Sequence, residues 1–202
     1  MEKKYTNDWF SHNIPTWNEV FKKHGFVGTH FLNFLEIGCF EGRATNYLLE
    51  NVLTGNDCKI HVADTFEGSL NEKGMNWDPS YKFNNLYDIF CNNTSEHRDR
   101  VIIHKGKSGN ILRRDFEDNS FDFIYIDGSH TAPDVLQDAV LSHSLLKIGG
   151  LLIFDDFGWK DPNNLDPTNS PEIAINFFYG ANRNKYSMFF QGYQIGLIKT
   201  SN

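Results

Sequence analysis

Apolar and polar residues repeat along this chain with two periods that alternate from one segment to the next. Short apolar runs typical of buried strands lie at about 32–37, 59–64, 101–104, 121–126 and 151–154. Apolar residues three or four positions apart predict helices at about 14–24, 42–53, 81–93, 108–116, 132–146 and 172–179. Two last strands are predicted at 186–191 and 193–199, joined tightly around Gly192.

The strict alternation of strands and helices predicts an α/β fold, with a mostly parallel sheet and helices on both of its faces. The closing pair of strands has no helix between its members, so it predicts an antiparallel edge and brings the total to seven strands. A chain of 202 residues is long enough for one full core but not for two. We therefore expect a single domain over residues 1–202.

Composition and charge exclude several classes of function. The formal net charge is −7 without a lysine or arginine block, so nucleic acid is not expected as a partner. The chain contains no apolar run of about 18 residues, and its start lacks the apolar core of a signal peptide, so no membrane partner is expected. Three cysteines without a C-x-x-C spacing indicate reduced thiols and a cytoplasmic protein.

Residues 35–42, Leu-Glu-Ile-Gly-Cys-Phe-Glu-Gly, are the most informative segment, because they join the first strand to a helix. Gly38 and Gly42 let the backbone approach a ligand closely, and the start of the helix directs N–H groups toward it. The spacing differs from the Gly-x-Gly-x-x-Gly of dinucleotide binders, since Glu36 stands where their first glycine would be. A plain strand-to-helix turn is the alternative interpretation.

Acidic residues follow four of the predicted strands, at the carboxyl ends where ligands bind in open parallel sheets. They are Glu36, Asp64, Asp127 and the pair Asp155 and Asp156. Asp64 could accept hydrogen bonds from both hydroxyls of a ribose. Ser108, at the start of a short helix, is either an N-cap or a contact to adenine. The alternative is turn chemistry alone, because turns favour Asp and Gly.

Asp127, Asp155 and Asp156 are predicted to converge, because the carboxyl ends of neighbouring parallel strands meet at one edge. Two carboxylates about 4 Å apart repel by about 4 kcal/mol at an effective dielectric constant near 20, so the site must take up a proton or a cation. Oxygen ligands suit Mg²⁺, with Mn²⁺ or Ca²⁺ as alternatives. His130 is either a general base or a histidine bonded to its own loop. The other seven histidines show no pairing that suggests metal binding, and we expect them to be structural or solvated.

Residues 121–159, with the motifs IDGSH, GG and FDD, closely resemble a group of class I S-adenosylmethionine-dependent methyltransferases. This group includes the macrocin O-methyltransferases, and catechol O-methyltransferase is a more distant relative. The resemblance extends over about residues 32–159 and implies a Rossmann-like methyltransferase fold. The cofactor-binding residues that it implies are Glu36, Gly38, Cys39, Gly42, Asp64, Thr65, Ser108 and Asp127. The metal ligands that it implies are Asp127, Asp155 and Asp156, and the catalytic residues are His130 and Asp127.

The sequence therefore predicts an enzyme that moves a methyl group from S-adenosylmethionine to a hydroxyl of a sugar-like or catechol-like small molecule, assisted by Mg²⁺ or another hard divalent cation. Residues 1–30 are expected to cover the substrate, and Trp77, Tyr81 and Trp159 are candidate walls of its pocket. The alternatives are a metal-independent N- or C-methyltransferase and a catalytically silent protein that binds S-adenosylmethionine or a nucleotide. The oligomeric state stays open, with a homo-oligomer among the alternatives.

Overall fold

The computed structural model describes residues 2–68, 85–160 and 166–202. These residues contain seven β-strands and six α-helices. The strands are β1 (Asn33–Ile37), β2 (Lys59–Asp64), β3 (Val101–Lys105), β4 (Phe121–Ile126), β5 (Leu146–Phe154), β6 (Tyr186–Gln191) and β7 (Ile195–Lys199). The helices are α1 (Ile14–His24), α2 (Arg43–Asn51), α3 (Leu86–Asn93), α4 (Ser108–Arg114), α5 (Ala132–Leu145) and α6 (Pro171–Ala181).

All seven strands form one sheet in the order β3-β2-β1-β4-β5-β7-β6. The ladders from β3 to β5 are parallel, whereas β7 runs antiparallel to both β5 and β6. The predicted α/β fold with an antiparallel edge is therefore confirmed. Within the described part of the chain, every helix is too short or too polar to span a lipid bilayer.

The two faces of the sheet carry separate hydrophobic cores. Alternation along the strands sends Phe34 and Phe123 to one face and Leu35 and Ile124 to the other. The first face packs against α1, α2 and α3, and the second packs against α4, α5 and α6. Three helices on each side bury both faces, as a parallel sheet requires.

The boundaries of β5 and β7 differ from the sequence prediction. The apolar run at 151–154 is only the second half of β5, because Leu146 already pairs with Phe121. The register then shifts, and Gly149 adopts a φ of +84° in this irregular stretch. Strand β7 begins at Ile195 rather than at 193. Of the helix predicted at 81–93, residues 81–84 lie outside the described residues, as does most of the loop predicted at 66–80.

A pair of histidines links β2 to β3, so these two have a structural role, which is one of the two roles that the sequence left open for them. His61 Nδ1 and His104 Nε2 are 2.9 Å apart, and His104 Nδ1 lies 3.4 Å from a carboxylate oxygen of Asp115. The rings of Phe116 and Phe121 pack edge-on against His61. Burial, followed by the charges of His104 and Lys59, lowers the pKa of His61 to about 4.

This half-buried histidine should make the fold sensitive to mild acid. The folded state holds the pKa of His61 near 4 while the unfolded chain has a pKa near 6.5, so unfolding takes up a proton between these values. The contribution to stability is complete above about pH 6.5 and is lost as the pH falls toward about 4. His61→Phe, which suits the surrounding aromatic rings, should flatten this dependence in urea titrations at pH 7.5, 6 and 5. An unchanged slope in the variant would contradict the assignment.

Candidate active site

Backbone hydrogen bonds continue past the strand ends and fix the residues that follow β1, β4 and β5 side by side. The N–H of Gly38 donates to the carbonyl of Ala63 at 2.9 Å, and the N–H of Asp127 donates to Ile37 at 2.8 Å. The N–H of Asp155 donates to Ile126 at 2.9 Å. The glycine loop and the aspartates that the sequence selected therefore lie next to one another at one edge of the sheet.

The two glycines of the loop are required by the protein itself. A Cβ on Gly38 would lie 2.1 Å from the carbonyl oxygen of Asp127, and the residue has a φ of +81°. A Cβ on Gly42 would lie 3.0 Å from the ring of Phe90. Gly38 thus brings the ends of β1 and β4 into close contact. The expectation that these glycines let the backbone approach a ligand stays a prediction.

Asp64 clamps the glycine loop. One of its carboxylate oxygens accepts hydrogen bonds from the N–H groups of Cys39 at 2.8 Å and Phe40 at 3.1 Å, and the other accepts from Phe66 at 2.7 Å. A carboxylate has about four acceptor positions, so two of them serve the glycine loop here and a third serves the turn that follows β2. The neighbouring Thr65 caps the next turn through its hydroxyl, which accepts from the N–H of Glu67 at 3.2 Å. The predicted contact of Asp64 with a ribose stays a prediction.

Glu36 and Cys39 are buried below the loop. The hydroxyl of Thr45 donates to Glu36 Oε2 at 2.6 Å. Burial, with the charge of Asp64 adding to it, raises the pKa of Glu36 to about 8, so this carboxyl is mostly protonated at neutral pH. Burial also raises the pKa of the Cys39 thiol well above its ordinary value. The Cys39 thiol is therefore held in its neutral form.

The three aspartates influence one another electrostatically. Burial, followed by the charges of Asp155 and Asp156, holds the pKa of Asp127 well above its ordinary value. Burial, followed by the charge of Asp156, raises the pKa of Asp155 to about 6. These directions agree with the expectation that the cluster must bind a proton or a cation.

A buried polar chain, which sequence reasoning missed, fixes the orientation of Asp155. The hydroxyl of Tyr125 donates to Asp155 Oδ2, and the amide of Gln194 donates to the Tyr125 hydroxyl at 3.4 Å. Trp17 Nε1 in turn donates to Gln194 Oε1 at 2.7 Å, which connects α1 to the site. The only signal in the sequence was a polar Gln194 next to an apolar strand, and this pattern does not reveal which residue it contacts.

Asp156 faces the histidine that the sequence selected. His130 Nε2 lies 2.8 Å from Asp156 Oδ2, and the ring of Trp159 is 4.6 Å from the imidazole. Asp156 has a φ of +56°, so the backbone turns sharply after β5. This turn lets adjacent aspartates serve one site, because in a regular strand their side chains would point to opposite faces. Of the three candidate pocket walls, Trp77 and Tyr81 lie outside the described residues.

In their present orientations the carboxylates do not form a ready metal site. Within residues 2–68, 85–160 and 166–202, no group of three or more His, Cys, Asp or Glu side chains is arranged to hold a metal ion. The reason is visible in the contacts, since Asp155 is bonded to Tyr125 and Asp156 to His130. The donor set itself consists of oxygen ligands, which suit a hard cation chemically.

Ser108 lies at the opposite flank of the site and is the first residue of α4, whose N-cap is Lys107. The predicted N-cap role of Ser108 is therefore wrong by one position. Its side chain bonds instead to Asp138 of α5, which is 2% exposed. Burial raises the pKa of Asp138 to about 6, although this hydrogen bond opposes the shift. Sequence reasoning missed Asp138, whose only signal was an acidic residue on an apolar helix face.

Comparison with known proteins gives one family match. The family model described as a methyltransferase domain matches residues 35–157, which is more than half of the chain. Among curated proteins, no sequence matches.

Several solved structures share the fold at low sequence identity. The O-methyltransferase TomG from Streptomyces achromogenes, in complex with SAM, is 15% identical with a TM-score of 0.63, covering 93% of this chain and 80% of its own. The O-methyltransferase from Bacillus cereus, in complex with SAH, is 18% identical with a TM-score of 0.62, covering 96% and 84%. MycE from the mycinamycin biosynthetic pathway, in complex with Mg and SAH, is 13% identical with a TM-score of 0.60, covering 96% and 51%.

Substitution of Gly38 tests the contact between the ends of β1 and β4. Gly38→Ala would place a Cβ against the Asp127 carbonyl at a positive φ, so we expect a loss of at least about 1–3 kcal/mol of stability. Gly180→Ala is the matched control, because Gly180 lies in α6 with open space around it and should gain about 0.5–1 kcal/mol. Urea denaturation of both variants measures this difference, and equal stabilities would contradict the packing described.

Proposed function

This chain belongs to the methyltransferase domain family and is a class I S-adenosylmethionine-dependent methyltransferase, and from that premise we propose that it methylates a hydroxyl group of a small molecule. The observation that carries this proposal is the pair of His130 and Asp156, 2.8 Å apart beside Asp127. A sugar-like or catechol-like acceptor is the favoured class.

The proposed reaction needs little from the protein beyond alignment and a base. The cofactor supplies a methyl group on a positively charged sulfur, which is already a strong electrophile. The acceptor oxygen forms a bond to the methyl carbon while the carbon–sulfur bond breaks, and the electron pair stays on sulfur. His130 takes the acceptor proton, and Asp156 orients the imidazole and stabilises its positive charge. The neighbouring strand ends hold the reacting groups in line.

The cofactor would lie along the loop that follows β1. The candidate residues are Glu36, Gly38, Cys39, Gly42, Asp64, Thr65, Ser108 and Asp127. Support comes from the arrangement of this loop, in which Asp64 holds the backbone of residues 39 and 40 in place. In TomG and the Bacillus cereus enzyme, the bound groups are SAM and SAH.

Metal assistance is a separate proposal. Asp127, Asp155 and Asp156 would hold Mg²⁺ or another hard divalent cation, because such ions prefer oxygen ligands. The pKa values of Asp127 and Asp155, raised first by burial and then by the neighbouring carboxylates, support this, since a bound cation would offset the cost of ionising them. MycE carries Mg in its crystal structure. The metal-independent alternative is favoured by the hydrogen bonds that occupy Asp155 and Asp156.

The remaining proposals concern the domain extent, the cellular location and the partners of the enzyme. We propose one domain over residues 1–202, in which residues 1–30 help to cover the acceptor. A cytoplasmic location is supported by the three unpaired cysteines, two of which are buried. Nucleic acid stays an unexpected partner because of the negative net charge, and a homo-oligomer stays an open alternative.

His130→Gln tests the role of the base. We expect methyl transfer to a panel of catechols and sugars to fall by about 10²-fold or more, because glutamine cannot accept the proton. Affinity for S-adenosylhomocysteine should stay within about twofold of the wild-type value, which separates this effect from a damaged cofactor site. His30→Gln is the control, since His30 bonds to Asn56 in a loop at the other end of β1. Full activity in His130→Gln would overturn the proposal, and a wild-type protein that binds the cofactor without turnover would favour the silent alternative.

Chelation tests the metal. Activity should fall in EDTA and return with Mg²⁺, whereas Asp127→Asn should leave a low activity that no longer responds to Mg²⁺. Calorimetry should show the affinity of Asp127→Asn for S-adenosylhomocysteine within about tenfold of the wild-type value. Asp122→Asn is the matched control, because Asp122 lies on the same strand far from the site and pairs with Lys147 at 2.8 Å. Activity that is unchanged by EDTA would establish the metal-independent alternative.

A further inference from the structure

Residues 3–9, which we call the N-terminal strap, cross the loop that joins β1 to α2. The backbone N–H of Thr6 donates to Glu41 Oε2 at 2.7 Å, and the Thr6 hydroxyl donates to Glu41 Oε1 at 2.8 Å. Glu41 is 1% exposed although it carries a carboxylate. Both oxygens of a buried carboxylate are therefore bonded to one residue of the strap.

A buried asparagine joins the strap to the loop a second time. The N–H of Lys4 donates to Asn93 Oδ1 at 2.8 Å, and Asn93 Nδ2 donates back to the Lys4 carbonyl at 2.8 Å. Asn93 Nδ2 also donates to the carbonyl of Glu41 at 2.9 Å. Asn93 is completely buried at the end of α3. The strap is thus held by specific hydrogen bonds to two buried polar side chains, those of Glu41 and Asn93.

Aromatic and charged contacts also join the strap to the loop and to the start of α2. The guanidinium of Arg43 lies 4.1 Å from the ring centre of Tyr5 and 3.5 Å from Asp8. The ring of Trp9 is 5.1 Å from that of Phe40, which is the residue in the middle of the loop. The strap therefore contacts three nearby positions, 40 and 41 in the loop and 43 at the start of α2.

The loop needs such support because its backbone is strained. Phe40 has a φ of +47°, a conformation that is unfavourable for any residue with a side chain. Strained backbone of this kind persists only where the surrounding structure holds it. Below the loop, Asp64 accepts the N–H of Phe40. Above it, Trp9 covers the ring of Phe40, and Thr6 holds the next residue.

We propose that the N-terminal strap holds this loop in its cofactor-binding conformation, with Thr6, Glu41 and Trp9 as positioning residues. The inference rests on the proposed cofactor site, because the loop matters for catalysis only if the cofactor lies along it. Coupling between two sites is reciprocal, so cofactor binding must stabilise the strap to the same extent that the strap stabilises cofactor binding. This reciprocity gives two independent measurements.

The first measurement is the affinity for S-adenosylhomocysteine by calorimetry. Thr6→Val combined with Trp9→Ala removes the hydroxyl and the ring but leaves the cofactor-binding residues in place. We expect binding to weaken by about fivefold or more. Thr29→Val is the matched control, since it removes an equivalent hydroxyl hydrogen bond, of 2.7 Å to Gly25, in a different loop. Its affinity should equal that of the wild type.

The second measurement uses the wild-type protein and so does not depend on how the variants fold. The backbone amides of Lys4 and Thr6 are hydrogen-bonded only while the strap is bound to Asn93 and Glu41. Their rate of hydrogen exchange therefore reports how often the strap detaches from the loop. S-adenosylhomocysteine should slow exchange in a peptide that covers residues 2–9. If the ligand binds but neither exchange nor the affinity of the double variant changes, the strap proposal is overturned while the proposed function stands. If the wild-type protein does not bind S-adenosylhomocysteine, the proposed function itself fails.

Discussion

Three backbone hydrogen bonds beyond the strand ends determine the geometry of the candidate active site. They join Gly38 to β2, Asp127 to β1 and Asp155 to β4, so the chain segments that leave the sheet start side by side. Gly38 permits this because any side chain there would collide with the Asp127 backbone. The candidate active site is therefore a direct continuation of the parallel ladder, and its residues inherit the rigidity of the sheet.

Bringing acidic residues together at one rim concentrates negative charge, and the structure compensates for this in several ways. Burial, with the neighbouring carboxylates adding to it, raises the pKa values of Asp127 and Asp155, which favours their neutral forms. Tyr125 donates a hydrogen bond to Asp155, and His130 pairs with Asp156. Asp155 and Asp156 thus have separate hydrogen-bond partners.

The N-terminal segment contacts this site from two directions. Trp17 reaches Asp155 through Gln194 and Tyr125, and the strap binds the glycine loop through Glu41 and Asn93. Both connections use buried polar groups, whose hydrogen bonds are costly to leave unmade. The position of the loop and the orientation of one carboxylate thus depend on residues far away in the sequence.

The sequence by itself determined the order and type of the strands and helices. The spacing of apolar residues that distinguishes a strand from a helix can be read within each segment alone. The sequence also selected the acidic residues at the strand ends, since the parallel topology dictates that strand ends meet, and it selected His130 through the IDGSH motif. Tertiary structure alone decided the partners of these residues: Asp64 clamps a loop, Ser108 bonds to Asp138, and His61 pairs with His104. Such contacts depend on side-chain orientation and on burial between segments distant in the chain, and neither quantity has a local signal in the sequence.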